Sequence, residues 1–233
     1  MDRTLPENGS HEVKYCGHSY YFQPTAGIQS DKLRMTNISI YSTTPWKEAN
    51  FISKTILNFF HPHEDGSPFL FASDGGLVIT DATANIGGNT ISFYLNGLTS
   101  VNAVEMDQLT CDILKHNLVT YQLPVNTVHC CDYLSIYDQL VQDVVFLDPP
   151  WGGPDYKKAT KLDLYLGIKQ SLNIIDICAK LFEKEKVKLI VLKLPINYNL
   201  SRLMKRLPNN HFLTHKIYRH HNHSYNVVYI WGQ

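Results

Sequence analysis

Short apolar runs alternate with amphipathic helical stretches along most of this chain, and that alternation limits the architectures open to it. Leu77-Val78-Ile79-Thr80-Asp81 has the pattern of a buried strand. A glycine-containing turn and a helix over Thr90–Leu95 follow it, closed by Asn96-Gly97. Ser100–Glu105 is the second strand. Gln108–Tyr121 is an amphipathic helix with Leu109, Ile113, Leu114 and Leu118 on one face. Thr127–Cys131 and Asp143–Leu147 are the third and fourth strands, and Lys188–Leu194 is the fifth. Leu172, Ile175, Ala179 and Phe182 line a helix before the fifth strand, and Leu200–Leu207 is a short helix after it. Strand–helix alternation at this spacing predicts a mostly parallel sheet with helices on both faces. The last two strands, Phe212–Tyr218 and Tyr225–Trp231, are joined only by His220–Ser224 and its flanks. A parallel link needs about a dozen residues, so they must form an antiparallel hairpin. The expectation is a doubly wound α/β domain of seven strands with an antiparallel edge.

The beginning of the chain is different. Residues 1–45 are polar and aromatic-rich (Tyr15, Tyr20, Tyr21, Phe22, Tyr41) and are punctuated by Gly and Pro. They predict an N-terminal extension that packs late or over a ligand. Thr43-Thr44-Pro45-Trp46 predicts a helix start with hydroxyl caps and an early Pro. Ala49, Ile52, Ile56 and Phe59/Phe60 continue it at helical spacing until a loop around His61–Pro68. The domain expectation is an arm and helix over 1–60 and a main domain over 61–233.

Composition narrows the function classes. Of 233 residues, 44% are hydrophobic, enough to fill a core and to exclude disorder as the description of the whole chain. Lys+Arg and Asp+Glu both number 21, so no global charge drives the chain onto nucleic acid or membrane. From Lys193 to Gln233, however, there are six Lys/Arg and no Asp/Glu, a local basic end compatible with an anionic ligand. No apolar run approaches the roughly 18 residues that cross a bilayer, so no membrane partner is expected. Five cysteines without a CxxC pair predict an intracellular, nuclear or cytoplasmic protein rather than a secreted disulfide scaffold. Cys130-Cys131 on a buried strand behaves as small hydrophobes on this reading. His220-His221-Asn222-His223 lies in a hairpin turn without a neighbouring Cys or carboxylate, and it predicts a solvated loop or phosphate contact, not a metal site.

In a doubly wound sheet, ligands bind outside the carboxyl ends of the strands. Asp81-Ala82-Thr83-Ala84-Asn85-Ile86-Gly87-Gly88-Asn89-Thr90 leaves the first strand there, and Gly87 and Gly88 permit close approach or positive φ. Glu105 ends the second strand, where a carboxylate can take both hydroxyls of a ribose. Asp132 follows the third and can accept from an adenine amino group. Together they predict an adenosine-type cofactor. After the fourth strand comes Asp148-Pro149-Pro150-Trp151-Gly152-Gly153-Pro154-Asp155-Tyr156. The prolines stiffen this loop and leave the Asp148 and Pro149 carbonyls free as acceptors. An exocyclic amino group is a poor nucleophile because its lone pair is delocalised into the ring. Acceptors on its N–H bonds align the nitrogen, and proximity to an electrophilic methyl supplies the rest. Trp151 offers a flat surface for the base; the plainer reading makes it core beside a rigid turn.

Asp148–Tyr156, with Asp143–Leu147 before it, closely resembles the signature of the trimethylguanosine synthases, the cap-hypermethylating RNA methyltransferases. Ile86-Gly87-Gly88-Asn89-Thr90 is similar to that family's S-adenosylmethionine loop, and Gly27-Ile28, Asp31 and Ser42–Ile52 resemble the segment before its core. The resemblance spans roughly residues 27–200. It implies a class I S-adenosylmethionine-dependent methyltransferase fold and transfer to the guanine N2 of a 7-methylguanosine cap, with a di- or trimethylguanosine product. Capped RNA would be the partner, a monomer is expected, and the 1–60 arm would cover the cap. The implied cofactor residues are Asp81, Thr83, Ala84, Gly87, Asn89, Thr90, Glu105, Asp132, Tyr133 and Asp148. The implied catalytic set is Asp148, Pro149, Pro150 and Trp151. Trp151, Lys193, Pro195, Asn197, Ser42 and Thr44 would hold substrate, with Trp151 stacking on the cationic ring. Three departures stand out. Asn85 replaces a glycine, Asp148 stands where relatives often carry Ser, and Leu194-Pro195-Ile196-Asn197 lacks the family's arginine, for which Lys193 or Lys32/Arg34 could substitute. Two alternatives stay open: methylation of an internal guanine or adenine amino group in RNA or DNA, and a non-catalytic cap-binding subunit.

Overall fold

The computed structural model describes residues 10–13, 18–60, 76–183, 187–219 and 222–232. Tyr15, the His61–Pro68 loop and His220-His221 lie outside the described residues. Those described divide into two compact units, 10–131 and 132–232.

In the first unit, strands β1 (Val78–Asp81), β2 (Ser100–Val104) and β3 (Val128–His129) pair in parallel. Helices α1 (Trp46–Asn58), α2 (Gly88–Leu95) and α3 (Gln108–Thr120) accompany them. The Asp107 carboxylate caps α3 by accepting from Thr110 N at 2.9 Å and Thr110 Oγ1 at 2.6 Å. The hydroxyl cap expected for α1 does not form. Pro45 is the N-cap, its carbonyl accepting from Glu48 and Ala49, while Thr43 and Thr44 are buried. Helix α2 begins at Gly88, two residues before the expected start.

The described part of the N-terminal stretch is not a layer laid over a finished core. Tyr21, Phe22, Leu33 and Met35 share one apolar cluster with Ile86, Ile91, Ile113, Leu114 and Leu118. Met35-Thr36 also pairs antiparallel with Glu12-Val13. Cysteine chemistry departs from expectation as well. Cys130 is not a free hydrophobe: it is disulfide-bonded to Cys111, tying the first turn of α3 to the residue after β3. Cys131 and Cys178 are free thiols, and burial pushes that of Cys178 up to about 12.

In the second unit, β4 (Val144–Leu147) pairs in parallel with β5 (Leu189–Pro195), which is buried at every position. Helices α4 (Ile174–Glu183) and α5 (Leu200–Arg206) flank β5 in sequence. Leu172, expected in α4, instead pairs with Leu166 in a two-residue ladder, and Asn173 Oδ1 takes the Ile175 N–H at 2.9 Å. The expected hairpin is present and its strands are longer. β6 (His211–Arg219) and β7 (Asn222–Trp231) pair from His211↔Trp231 to Arg219↔Asn222, with a bulge at Ile217/Tyr218. β7 also runs antiparallel to β5, Tyr225 opposite Pro195 and Val227 opposite Lys193. The strand order is β6-β7-β5-β4-β1-β2-β3, with β7 running against both its neighbours. This is the seven-stranded, mostly parallel α/β sheet that the alternation predicted. Among the described residues no helix is long and apolar enough to cross a membrane.

Burial of the N-terminal side chains has a measurable consequence. Phe22 is 2% exposed, so Phe22→Ala should cost roughly 3–5 kcal/mol of unfolding free energy. Chemical denaturation measures it. A loss below about 1 kcal/mol would mean that the stretch packs on the outside.

Candidate active site

The loop after β1 is held by its own side chains. Asp81 is buried, and its Oδ2 accepts the Thr90 hydroxyl at 2.6 Å across the first turn of α2. Ala84 N–H donates to the Val104 carbonyl at 2.9 Å, fixing the loop to the end of β2. Asn85, where relatives of the resembled family carry glycine, has φ 51°, the left-handed conformation that Asn tolerates. Its Oδ1 accepts from Ile86 N at 2.9 Å, which stabilises that turn locally. Gly88 is dictated by space. A Cβ there would lie 2.7 Å from Thr43 Cγ2 and 3.2 Å from the Thr44 carbonyl oxygen.

Ser42 and Thr44, expected to hold substrate, are joined to this loop. Asn85 Nδ2 donates to Ser42 Oγ at 2.7 Å, and Asn89 Nδ2 donates to Thr44 Oγ1 at 3.1 Å. Glu105 accepts the Asn85 N–H on Oε2 at 2.9 Å and the Asp107 N–H on Oε1 at 2.8 Å. Burial raises its pKa above the usual carboxylate range, opposed by those backbone donors. Thr83 is half-buried and Ala84 buried in the same turn.

In the second unit, Asp132 Oδ1 accepts from Leu134 N and Oδ2 from Ile168 N, both at 2.9 Å. The neighbouring Tyr133 ring is buried, and its hydroxyl donates to Gln142 Oε1 at 3.2 Å.

The signature loop leaves β4. Gly152 and Gly153 have φ of 86° and 75°, and nothing lies within 4 Å of a Cβ built on Gly152, so backbone conformation rather than space demands glycine there. Trp151 is half-buried. Tyr156 packs edge-on against it with ring centroids 5.2 Å apart, and Tyr225 of β7 lies at 6.3 Å. Asn197 Nδ2 donates to the carbonyls of Tyr156 and Ala159, both at 2.7 Å, and so braces the loop. Pro195 is buried at the end of β5, and Ile196 is exposed.

Lys193 does not reach toward solvent as a phosphate ligand would. It is 5% exposed, and its Nζ lies 2.6 Å from Asp148 Oδ2, 5.4 Å from the Trp151 ring centroid and 5.1 Å from that of Tyr225. Arg219 of β6 approaches the Tyr225 ring at 5.4 Å. Burial raises the pKa of Asp148, opposed by Lys193 first, then by Arg219 and the Trp151 N–H. That N–H favours the carboxylate electrostatically, and it is buried without a hydrogen-bond partner among the described residues. Tyr156, Arg219 and Tyr225 belong to this cluster, and none of the three is among the residues to which the sequence analysis gives a role. No local motif marks Tyr225 or Arg219. The usable signal is hairpin register, which sets Tyr225 opposite Pro195.

Each unit carries a strand-end carboxylate with acceptor capacity to spare. Glu105 and Asp132 each take two backbone donors, and a carboxylate has about four lone-pair directions, which leaves capacity for a ribose hydroxyl and an adenine amino group. Asn89 Oδ1 is buried without a hydrogen-bond partner among the described residues. Comparisons with known proteins agree. A family model for RNA cap guanine-N2 methyltransferases matches residues 77–232. A protein of Acanthamoeba polyphaga mimivirus is 32% identical over 219 residues, 88% of this chain and 82% of that protein. The trimethylguanosine synthase of Schizosaccharomyces pombe is 33% identical over 133 residues, 54% of this chain and 49% of its own, so this chain spans about half of that relative. Among solved structures, the 16S rRNA N2 methyltransferase RsmC of T. thermophilus, in complex with AdoMet and guanosine, shares the fold. Its TM-score is 0.56 at 14% identity, covering 88% of this chain and 49% of that one.

The sheet order is that of the class I methyltransferase fold. The chain belongs to the RNA cap guanine-N2 methyltransferase family, and S-adenosylmethionine is its methyl donor.

The cofactor assignment predicts that Glu105→Ala weakens S-adenosylmethionine binding by about 1.5–3 kcal/mol, as for a lost hydrogen bond to a charged group. Calorimetric titration checks this. A folded variant that binds as the parent does would remove Glu105 from the site.

Proposed function

We propose that this protein transfers a methyl group to the N2 amino group of a 7-methylguanosine RNA cap. The observation that carries the reading is the Asp148–Trp151 loop: an aromatic face framed by Tyr156 and Tyr225 beside a half-buried carboxylate paired with Lys193, in a chain of the cap guanine-N2 family. Bound in the strand-end loops, S-adenosylmethionine supplies an electrophilic sulfonium methyl. Trp151 stacks on the base, and the loop's acceptors take hydrogen bonds from the N2 amino group and aim its lone pair. The nitrogen bonds to the methyl carbon as the carbon–sulfur bond breaks, its electron pair staying on sulfur. The nitrogen, now positively charged, gives its proton to Asp148 or to water, so no strong base is needed.

Lys193 is already paired with Asp148, so phosphate contacts fall to exposed cations. Lys157, an exposed cation whose Nζ lies 5.8 Å from the Tyr156 ring centroid, is placed for such a contact. One observation favours a second acceptor. Lys193 stands over the Trp151 and Tyr225 rings and Arg219 over Tyr225, and their charge opposes a cationic base there, which would suit an uncharged guanine. The Asp148 carboxylate offsets one of the two charges, so the cap reading is preferred.

The test is incubation with labelled donor and either 7-methyl-GTP or GTP. The cap reading predicts a turnover preference for the methylated nucleotide of at least about tenfold, the size of a ~1.4 kcal/mol cation–π difference. Equal turnover would favour the uncharged-guanine reading. Trp151→Ala should weaken 7-methyl-GTP binding, measured by fluorescence quenching, and lower the single-turnover rate through lost alignment. A Trp151→Ala protein as active as the parent would leave the base-stacking role without support.

A further inference from the structure

Lys193 is an unusual residue to find where it is. It sits in a strand that is buried at every position, flanked by Leu192 and Leu194, and its side chain is only 6% exposed. A buried ammonium is costly unless it is paired, and this one is paired with Asp148 at 2.6 Å. Among the described residues the ammonium also lies 5.4 Å from the Trp151 ring centroid and 5.1 Å from that of Tyr225. Those two rings and the carboxylate are also the groups the proposed acceptor would meet.

The geometry points to Lys193 as a positioning residue of the transfer: its ammonium fixes the Asp148 carboxylate beside the Trp151 ring, so that the acceptor's amino group meets a stationary hydrogen-bond acceptor. The inference rests on the amino-methyltransferase reading given above and deepens it. Lys193 itself need touch neither the cofactor nor the base.

Each element around the carboxylate has a part. Lys193 comes from β5, Arg219 from β6 and the Trp151 indole from the loop itself, and all three favour the ionised form. Tyr225 from β7 holds Lys193 through its ring face and is approached in turn by Arg219. Desolvation works the other way and outweighs them, so Asp148 already titrates above an ordinary aspartate. A protonated Asp148 would offer a donor where the amino group needs an acceptor. Loss of Lys193 removes the largest of the opposing effects, and the carboxyl should take up its proton at higher pH. A side chain with a packing role only would change stability and leave that titration alone.

The experiment uses the full chain and two methionine and arginine variants, Lys193→Met and Lys193→Arg. The carboxyl carbon of Asp148 is followed by 13C NMR as pH is varied, assigned by its absence in Asp148→Asn; this readout needs neither donor nor acceptor. Lys193→Met should raise the Asp148 midpoint by about one pH unit or more, and Lys193→Arg should stay near the parent. The acid limb of the single-turnover rate with 7-methyl-GTP should move with the midpoint. Its rate on that limb should fall about tenfold at a pH one unit below the new midpoint. Identical midpoints in parent and Lys193→Met would overturn the assignment, as would a moved midpoint with an unmoved acid limb. Should Lys193→Met fail to fold, Lys193→Met/Asp148→Asn removes both charges. Recovery of its melting temperature toward the parent supports the pair, and no recovery contradicts it. A parent protein that titrates as described but leaves 7-methyl-GTP unmethylated would count against the cap reading and not against the role of Lys193 in holding Asp148.

Discussion

A carboxylate taken out of water must be neutralised or matched, and the signature loop is organised around that requirement. Asp148 leaves β4 into a half-buried position with its side chain 15% exposed, and the matching charge comes from within the fully buried neighbouring strand. β5 can carry a lysine there because the ammonium faces rings as well as the carboxylate. β7 supplies one of those rings from a position set by its register against β5. The aromatic cluster, the stiff diproline turn and the closing hairpin thus serve one electrostatic arrangement. A cation in this cluster helps to hold Asp148 and, by its charge, limits how strongly the same rings can attract a cationic base.

The first unit depends on close approach rather than charge. Gly88 lets the chain around Thr43 and Thr44 pass within van der Waals distance of the first turn of α2, which no side chain at that position would allow. Asn85 completes the arrangement by adopting the left-handed turn and tying Ser42 to the loop, while Glu105 clamps the loop's backbone from the end of β2. The N-terminal stretch and the cofactor loop are in this way parts of one packed structure. A change in either is expected to be felt in the other.

The sheet was legible because its strands are short apolar runs at regular spacing, a signal carried by each segment alone. Strand ends were less legible. β3 is two residues long where five were expected, since Cys130 leaves the ladder for a disulfide with Cys111 that no local pattern announced. The polar composition of residues 1–45 suggested an extension that packs late or over a ligand, and it hid the core residues Phe22, Leu33 and Met35, which are spaced too irregularly to show a helical or strand period. In the site, Asp81, Glu105, Asp132 and the Asp148–Trp151 turn stood out because strand ends and diproline turns mark themselves. Lys193 was recognised as important and given the wrong surroundings. A basic residue beside Leu-Pro in the sequence suggested phosphate, whereas tertiary pairing placed it against Asp148. Tyr225 and Arg219 came from a hairpin whose register is a property of the whole sheet.

The central claim is that this loop presents a guanine amino group to the donor's methyl. The measurement that bears on it most directly is fragmentation mass spectrometry of 7-methyl-GTP after incubation with the protein and isotopically labelled donor. The account predicts one or two labelled methyl groups, all on the exocyclic N2. Label on a ring nitrogen or the ribose, or none on the nucleotide while the donor is consumed on another acceptor, would contradict it.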